Sequence, residues 1–202
     1  LILSERRVVH ESVPMAGVDG AGRGFGRGAA GGTAFRGVDR AAVPTVRRRV
    51  RRFVDERLIP LEADRANYDE HENVREDVLA AMRLQARAEG LWALQMPKAR
   101  GGGGLSFVGM AACYEEMNRS IFGPATFNSA APDDGTMMAL ERVGTDAQKA
   151  RWLQPIVDGR VRSSFVMTEP HPGGGSDPAM IRTTAERRGD RWIVHGRKWF
   201  IT

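Results

Sequence analysis

The chain has 202 residues, a formal net charge of +5, 42% hydrophobic residues and a single cysteine. That hydrophobic share excludes disorder over the whole length, and the lone Cys113 excludes an internal disulfide framework or a cysteine-rich zinc site. No apolar run approaches the roughly 18 residues a membrane helix needs, and the start turns charged at Glu5-Arg6-Arg7 without a signal-peptide core, so a soluble cytoplasmic protein is expected.

The charge is unevenly placed. Residues 1–52 hold eleven arginines against four acidic residues, and the remainder is slightly acidic. Between Gly17 and Gly37 nine of 21 positions are glycine. Ordering so much glycine costs backbone entropy that few apolar groups here could offset. Residues 1–43 therefore read as a flexible Gly/Arg-rich leader. The run Gly26-Arg27-Gly28-Ala29-Ala30-Gly31 has dinucleotide-loop spacing, but no strand precedes it. Gly22 to Gly28 is similar to an RGG-type RNA-binding arm, with only Phe25 to stack on bases. Because the basic excess sits in the first quarter of the chain, it gives no reason for the remainder to bind nucleic acid.

From Pro44 the apolar residues follow a helical period. Val46, Val50, Phe53, Val54 and Ile59 fall near one face, and Pro60 is expected to end or kink that helix. Asn73 is placed to cap a second helix with the stripe Val74, Val78, Leu79 and Met82, closed by Gly90. Arg100 to Gly104 is a glycine loop. Ser106 opens a third helix to Met117, with Val108, Ala111, Ala112, Tyr114 and Met117 as candidates for burial and Cys113 as a small buried hydrophobe. A fourth helix spans Gly135 to Val143. Thr145-Asp146-Ala147-Gln148 is a capping box opening a helix that carries Trp152, Leu153 and Ile156 and stops at Gly159.

After Gly159 the period falls to two. Ser163 to Thr168 reads as a strand ending at Pro170. Ile181 to Ala185 and Trp192 to Val194 form a hairpin about Gly189-Asp190, and Lys198 to Thr202 begins a further strand. The expected fold class is α+β: an all-α helical domain over residues 44–160, then a partial antiparallel β-barrel or sheet domain over 161–202. The sequence stops inside β-rich chain and starts with Leu, which reads as the first part of a larger protein.

Four segments stand in a telling order. They are Gly144-Thr145-Asp146-Ala147-Gln148-Lys149, Phe165-Val166-Met167-Thr168-Glu169-Pro170, Gly175-Ser176-Asp177, and Gly196-Arg197-Lys198-Trp199-Phe200-Ile201-Thr202. In order and spacing, and across a helix-to-strand switch, they resemble the acyl-CoA dehydrogenase family. Pro97 with Gly101 to Leu105 is similar to that family's glycine loop. Asn128 to Met137 is similar to the A-P-D-x-G-x-M stretch of one subgroup. The loop from Pro170 to Asp177 is two residues longer than the commonest family pattern.

The resemblance implies FAD as cofactor, with Phe165, Met167 and Thr168 lining the flavin ring and Phe200, Ile201 and Thr202 flanking it. It implies Ser176 near the FAD pyrophosphate and the acyl-CoA substrate. It further implies oxidation of an acyl-CoA thioester to the 2,3-enoyl form, an electron-transfer flavoprotein or similar acceptor, and a homo-oligomer. The family's catalytic base lies in a C-terminal helical bundle, so no catalytic residue is assigned here, and this chain by itself is expected to be inactive. Relatives on the same fold run flavin monooxygenase or oxidase chemistry instead. From the residues alone, Thr168 could simply end a strand, Gly173 to Asp177 could be an ordinary turn, and Phe165, Trp192, Trp199 and Phe200 could be core. Glu169 reads as structural rather than as a base. His10, His71, His171 and His195 show no metal-ligand spacing.

Overall fold

The computed structural model describes residues 42–201. The Gly/Arg-rich leader with its G-x-G-x-x-G run lies outside the described residues, and so does Thr202. The chain forms two compact units. A helical unit extends to Phe165, and a second takes the residues from Val166 onward.

Helix α1 (Ala42–Phe53) does not stop before Pro60. It passes through a π turn (Val54–Leu58) into α2 (Ile59–Glu62), with the Ile59 N–H donating to the Val54 carbonyl five residues back. A proline lacks the N–H for an α-type bond, and its ring crowds the carbonyl four residues earlier. Widening the turn just before it removes that conflict. The same solution recurs at Pro155. There α7 (Asp146–Gln148) runs through a π turn (Lys149–Leu153) into α8 (Gln154–Val157), and the Gln154 N–H reaches the Lys149 carbonyl. One consequence corrects the expected apolar face: Leu58 is fully buried, whereas Ile59 is 37% exposed.

Helix α3 (Glu76–Ala88) starts after Arg75, two residues later than the expected Asn73 cap. Asn73 belongs to a preceding loop in which the Asp69 carboxylate accepts the N–H groups of His71 and Asn73, both at 2.8 Å. The helix ends as expected at Gly90, whose φ of +63° only glycine adopts freely. Residues Gly101–Leu105 then fold back on Leu94–Met96: the Gly104 N–H donates to Met96 at 2.7 Å and Leu105 to Leu94 at 2.9 Å. A Cβ on Gly102 would lie 2.3 Å from the Met96 carbonyl oxygen, so the loop has no room for a side chain there.

Ser106 caps α4 (Phe107–Met117) through the Gly109 N–H. The buried face of α4 is Gly109, Met110, Cys113, Glu116 and Met117. Val108 and Ala111, expected inside, are exposed, because the helix turns its Met110–Cys113–Met117 edge toward α1. Glu116 is buried with its carboxylate 2.7 Å from Arg47 of α1, so the α1–α4 contact joins an ion pair to apolar packing. Short α5 (Gly123–Thr126) and α6 (Asp133–Val143) follow. The Thr145–Gln148 capping box forms as its sequence spells it, with both reciprocal hydrogen bonds present.

Two apolar clusters fill the helical unit. One gathers Val50, Phe53, Leu58, Leu91, Cys113, Met117 and Phe127, with the Phe53 and Phe127 rings edge-on at 5.3 Å. The other packs Trp92 and Met96 against Met137, Leu153 and Ile156. Asp133, buried at the head of α6, holds the last stretch of this unit. Its carboxylate accepts from the Ser163 N–H at 2.6 Å, the Ser163 hydroxyl at 2.8 Å and Arg162 Nε at 3.0 Å.

In the second unit β1 (Thr184–Arg188) pairs antiparallel with β2 (Arg191–His195), with Arg188 opposite Arg191 and Gly189-Asp190 as the two-residue turn. The fold class is therefore α+β, helices followed by the beginning of an antiparallel β region. Two expected strands fall short of strand pairing. Ser163 to Thr168 and Lys198 to Ile201 run without a ladder, the Trp199 N–H to the Thr168 carbonyl at 3.2 Å being their one backbone–backbone bond among the described residues, and β1 opens at Thr184 rather than Ile181. A single backbone bond does not make a β-ladder.

Candidate functional site

The second unit is organised around one buried carboxylate. Glu169 is 4% exposed. It accepts the Arg182 N–H at 2.7 Å, the Thr183 N–H at 2.9 Å, the Thr183 hydroxyl at 2.5 Å and Lys198 Nζ at 2.9 Å. Its own N–H donates to the Gly175 carbonyl at 3.0 Å. Three segments distant in sequence thus meet at Glu169, through Gly175, Arg182–Thr183 and Lys198. Lys198 Nζ makes a second bond, to the Met167 carbonyl at 2.8 Å.

These donors hold the Glu169 carboxyl well below the usual range, at about 2; the Thr183 hydroxyl acts most strongly, then the Arg182 N–H, then Lys198. A carboxylate so fully engaged is a poor proton acceptor at neutral pH, which agrees with reading Glu169 as structural.

The glycine loop is shaped by contact. A Cβ on Gly173 would meet Glu169 Cβ at 2.6 Å, and one on Gly174 would meet Met180 Cβ at 2.2 Å, so neither position admits a side chain. Gly175 takes φ +61°. The Asp177 carboxylate accepts the Ala179 N–H and closes the loop on a short 3₁₀ turn.

The expected site residues fall as follows. Met167 and Thr168 are half-buried and held beside Lys198 and Trp199. Ser176 is exposed at the rim of the glycine loop. Phe200 is 81% exposed at φ +50°, a strained conformation for an aromatic residue, and its ring lies 4.8 Å from that of Trp199. Ile201 follows, half-buried. Phe165 lies in the helical unit, 65% exposed, and Thr202 is outside the described residues. Trp192, Trp199, Phe200 and Phe165 are all exposed among the described residues. Lys198 and Thr183 were not among the expected site residues. The lysine lay in the G-x-K-x-W segment, but its partner is 29 positions away.

The donors present suit a flat heteroaromatic cofactor. The Thr168 N–H and hydroxyl have no acceptor among the described residues, and exposed Trp199 and Phe200 offer apolar surface nearby in the chain. A flavin needs this pairing of flat apolar contact with backbone donors along its polar edge. No group of three or more His, Cys, Asp or Glu residues is placed to hold a metal ion among the described residues.

A helical domain leading through an extended segment into an antiparallel hairpin is the opening architecture of one class of flavoenzyme. The family described as "Acyl-CoA dehydrogenase, N-terminal domain" matches residues 43–160, and the chain belongs to the acyl-CoA dehydrogenase family. It is 35% identical over 158 residues to acyl-CoA dehydrogenase family member 11 of Gallus gallus, covering 75% of this chain and 20% of that protein. It is 34% identical to (2S)-methylsuccinyl-CoA dehydrogenase of Cereibacter sphaeroides, covering 78% of this chain and 27% of that protein. Among solved structures, an acyl-CoA dehydrogenase-type protein of Mycobacterium abscessus aligns with a TM-score of 0.70 at 38% identity, over 80% of this chain and 42% of that one. A glutaryl-CoA dehydrogenase of Mycobacterium smegmatis in complex with FADH2 aligns with a TM-score of 0.57 at 26% identity, over 79% of this chain and 38% of that one. The chain thus spans between a fifth and under half of the length of these relatives.

Proposed function

We propose that this chain supplies the helical domain and the first flavin-binding segments of an FAD-dependent acyl-CoA dehydrogenase. Such an enzyme oxidises an acyl-CoA thioester to the 2,3-enoyl-CoA, as in β-oxidation of fatty acids. The observation that carries this reading is the bonding of Glu169 to Gly175 and Lys198 and of Thr168 to Trp199, with no acceptor for the Thr168 N–H and hydroxyl among the described residues. FAD, when bound, would accept the hydride from the β-carbon. Met167 and Thr168 would present backbone and hydroxyl donors to its edge, Phe165, Phe200 and Ile201 would contact the ring, and Thr202 would follow them. Ser176 would face the pyrophosphate and the acyl-CoA. Glu169 is too strongly hydrogen-bonded to take the α-proton, so a base from elsewhere in the enzyme is required.

We further propose a homo-oligomer for the whole enzyme, an electron-transfer flavoprotein or similar acceptor, and a cytoplasmic location. The test is purification of the full-length gene product, identification of the flavin released on denaturation, and anaerobic titration with acyl-CoA esters. Bleaching of the flavin absorbance by an acyl-CoA supports the reading. A colourless protein that takes up no FAD refutes it. Residues 1–202 alone are expected to show no turnover with acyl-CoA and a dye acceptor.

A further inference from the structure

The Met167–Thr168 peptide is held in an unusual way. Its carbonyl accepts Lys198 Nζ at 2.8 Å, and the same ammonium is 2.9 Å from a Glu169 carboxylate oxygen. The lysine side chain is 16% exposed and the glutamate side chain 4%, so the charge acts with little water to screen it. In a trans peptide the carbonyl and the N–H point in opposite directions. The Thr168 N–H is therefore the far end of a dipole whose near end rests on an ammonium. That N–H has no acceptor among the described residues, although the Thr168 carbonyl is taken by Trp199. A free N–H on a half-buried residue is a group that a ligand acceptor would satisfy.

We propose that Lys198, aimed by Glu169, is a positioning residue that orients and polarises the Met167–Thr168 peptide, so that the Thr168 N–H is a strengthened donor to the electron-rich edge of the cofactor. This rests on the flavin reading above. Hydrogen bonds in series strengthen one another in a low-dielectric setting. A donor strengthened in this way favours electron density on its acceptor, so it favours the reduced over the oxidised flavin. Glu169 fixes the ammonium over the carbonyl and leaves the pair neutral, so the effect is a directed dipole rather than a general positive field.

A mere strut between segments predicts different behaviour, and variants of the full-length gene product separate the two. Lys198→Met removes the charge. Glu169→Gln with Lys198→Met replaces the ion pair by a neutral pair of similar volume. Lys198→Arg keeps the charge. Each apoprotein is melted, titrated with FAD by fluorescence quenching, and its flavin midpoint potential is measured against a reference dye.

Each variant is first shown by its melt to be folded at the titration temperature, and the double variant is then expected to bind FAD roughly tenfold more weakly, the loss expected for a charge-assisted bond. Its potential is expected to move negative. Lys198→Arg is expected to bind within about twofold of the parent. A double variant that matches the parent in FAD affinity and potential makes the pair a strut and overturns the inference. Lys198→Arg losing FAD at an unchanged melting temperature overturns it also. If Lys198→Met does not fold, those two variants decide. A parent protein that takes up no FAD refutes the flavin reading itself, a result distinct from a parent that binds FAD while the variants behave alike.

Discussion

Asn128 offers the sharpest test of how the helical unit is held. It is 9% exposed and sits at φ +54°. Its side-chain amide donates to the Ile156 carbonyl at 3.0 Å and the Val157 carbonyl at 3.2 Å, at the end of α8. Both carbonyls have a second donor: Gly159 N–H at 2.9 Å for Ile156 and Trp92 Nε1 at 2.7 Å for Val157. Truncating Asn128 therefore strands no acceptor, and the loss is the net value of two hydrogen bonds, about 1 kcal/mol each. Alanine at a left-handed φ adds about 1–2 kcal/mol, so Asn128→Ala is expected to cost about 3–4 kcal/mol. Asn128→Gly loses the same bonds but not the backbone conflict, and is expected to be milder by about 1 kcal/mol after its own entropy cost. Urea unfolding followed by the fluorescence of Trp92, which is 6% exposed, reports both. Equal destabilisation by Ala and Gly would refute the strain argument, and a loss under about 1 kcal/mol for either would show that the amide tether contributes little.

Other expectations follow from single contacts. Burial pushes the Cys113 thiol up to about 11, so an aromatic disulfide reagent at pH 8 should modify it only slowly until the chain is denatured. Prompt reaction in the folded state would contradict its packing. The Glu169 carboxyl is held near 2, below the ordinary carboxylate range, so its stabilising effect is complete above that range and is lost as pH falls from about 4.5 toward 2. Emission from Trp192 and Trp199 should report loosening of the second unit across that window, and Glu169→Gln should flatten the transition. Gly174→Ala puts a methyl 2.2 Å from Met180 Cβ and is expected to cost about 1–3 kcal/mol by overpacking, read in the same emission. An unchanged melt for Gly174→Ala would show that the loop yields freely.

What the sequence made legible was local or periodic. The Thr145–Gln148 box could be read because both of its bonds lie within three residues. Gly90 could be read because one residue with positive φ ends a helix by itself. Where the deciding partner is remote, the reading went astray. Asn73 has cap chemistry, but its side-chain amide and its N–H both turn to Asp69, and α3 starts after Arg75. Val108 and Ala111 fit an apolar stripe, but buried Glu116 paired with Arg47 shows which face α4 presents to α1. Met167 and Thr168 stood in a recognisable segment. Their attachment to Lys198 spans about 30 residues, and no local pattern encodes it. The role of Asp133 was similarly hidden, since Arg162 and Ser163 reach it from the far end of the helical unit.

The paired π turns carry a consequence for how this helical domain can vary. A turn that takes five residues to reach its hydrogen-bond partner is, in effect, an α-helix with one residue inserted and retained. Each helix is thereby advanced by about 100°, one residue's rotation, which is why Leu58 rather than Ile59 faces the core. Pro60 and Pro155 lock the extra residue in, since the α-type ladder cannot re-form across a ring without an N–H. A relative that lost one residue before either proline would have to lose the proline as well, or turn its apolar stripe toward water. In such a pair, length and proline should vary together, and a gap in one sequence would mark a change of helical phase with no shift in the fold.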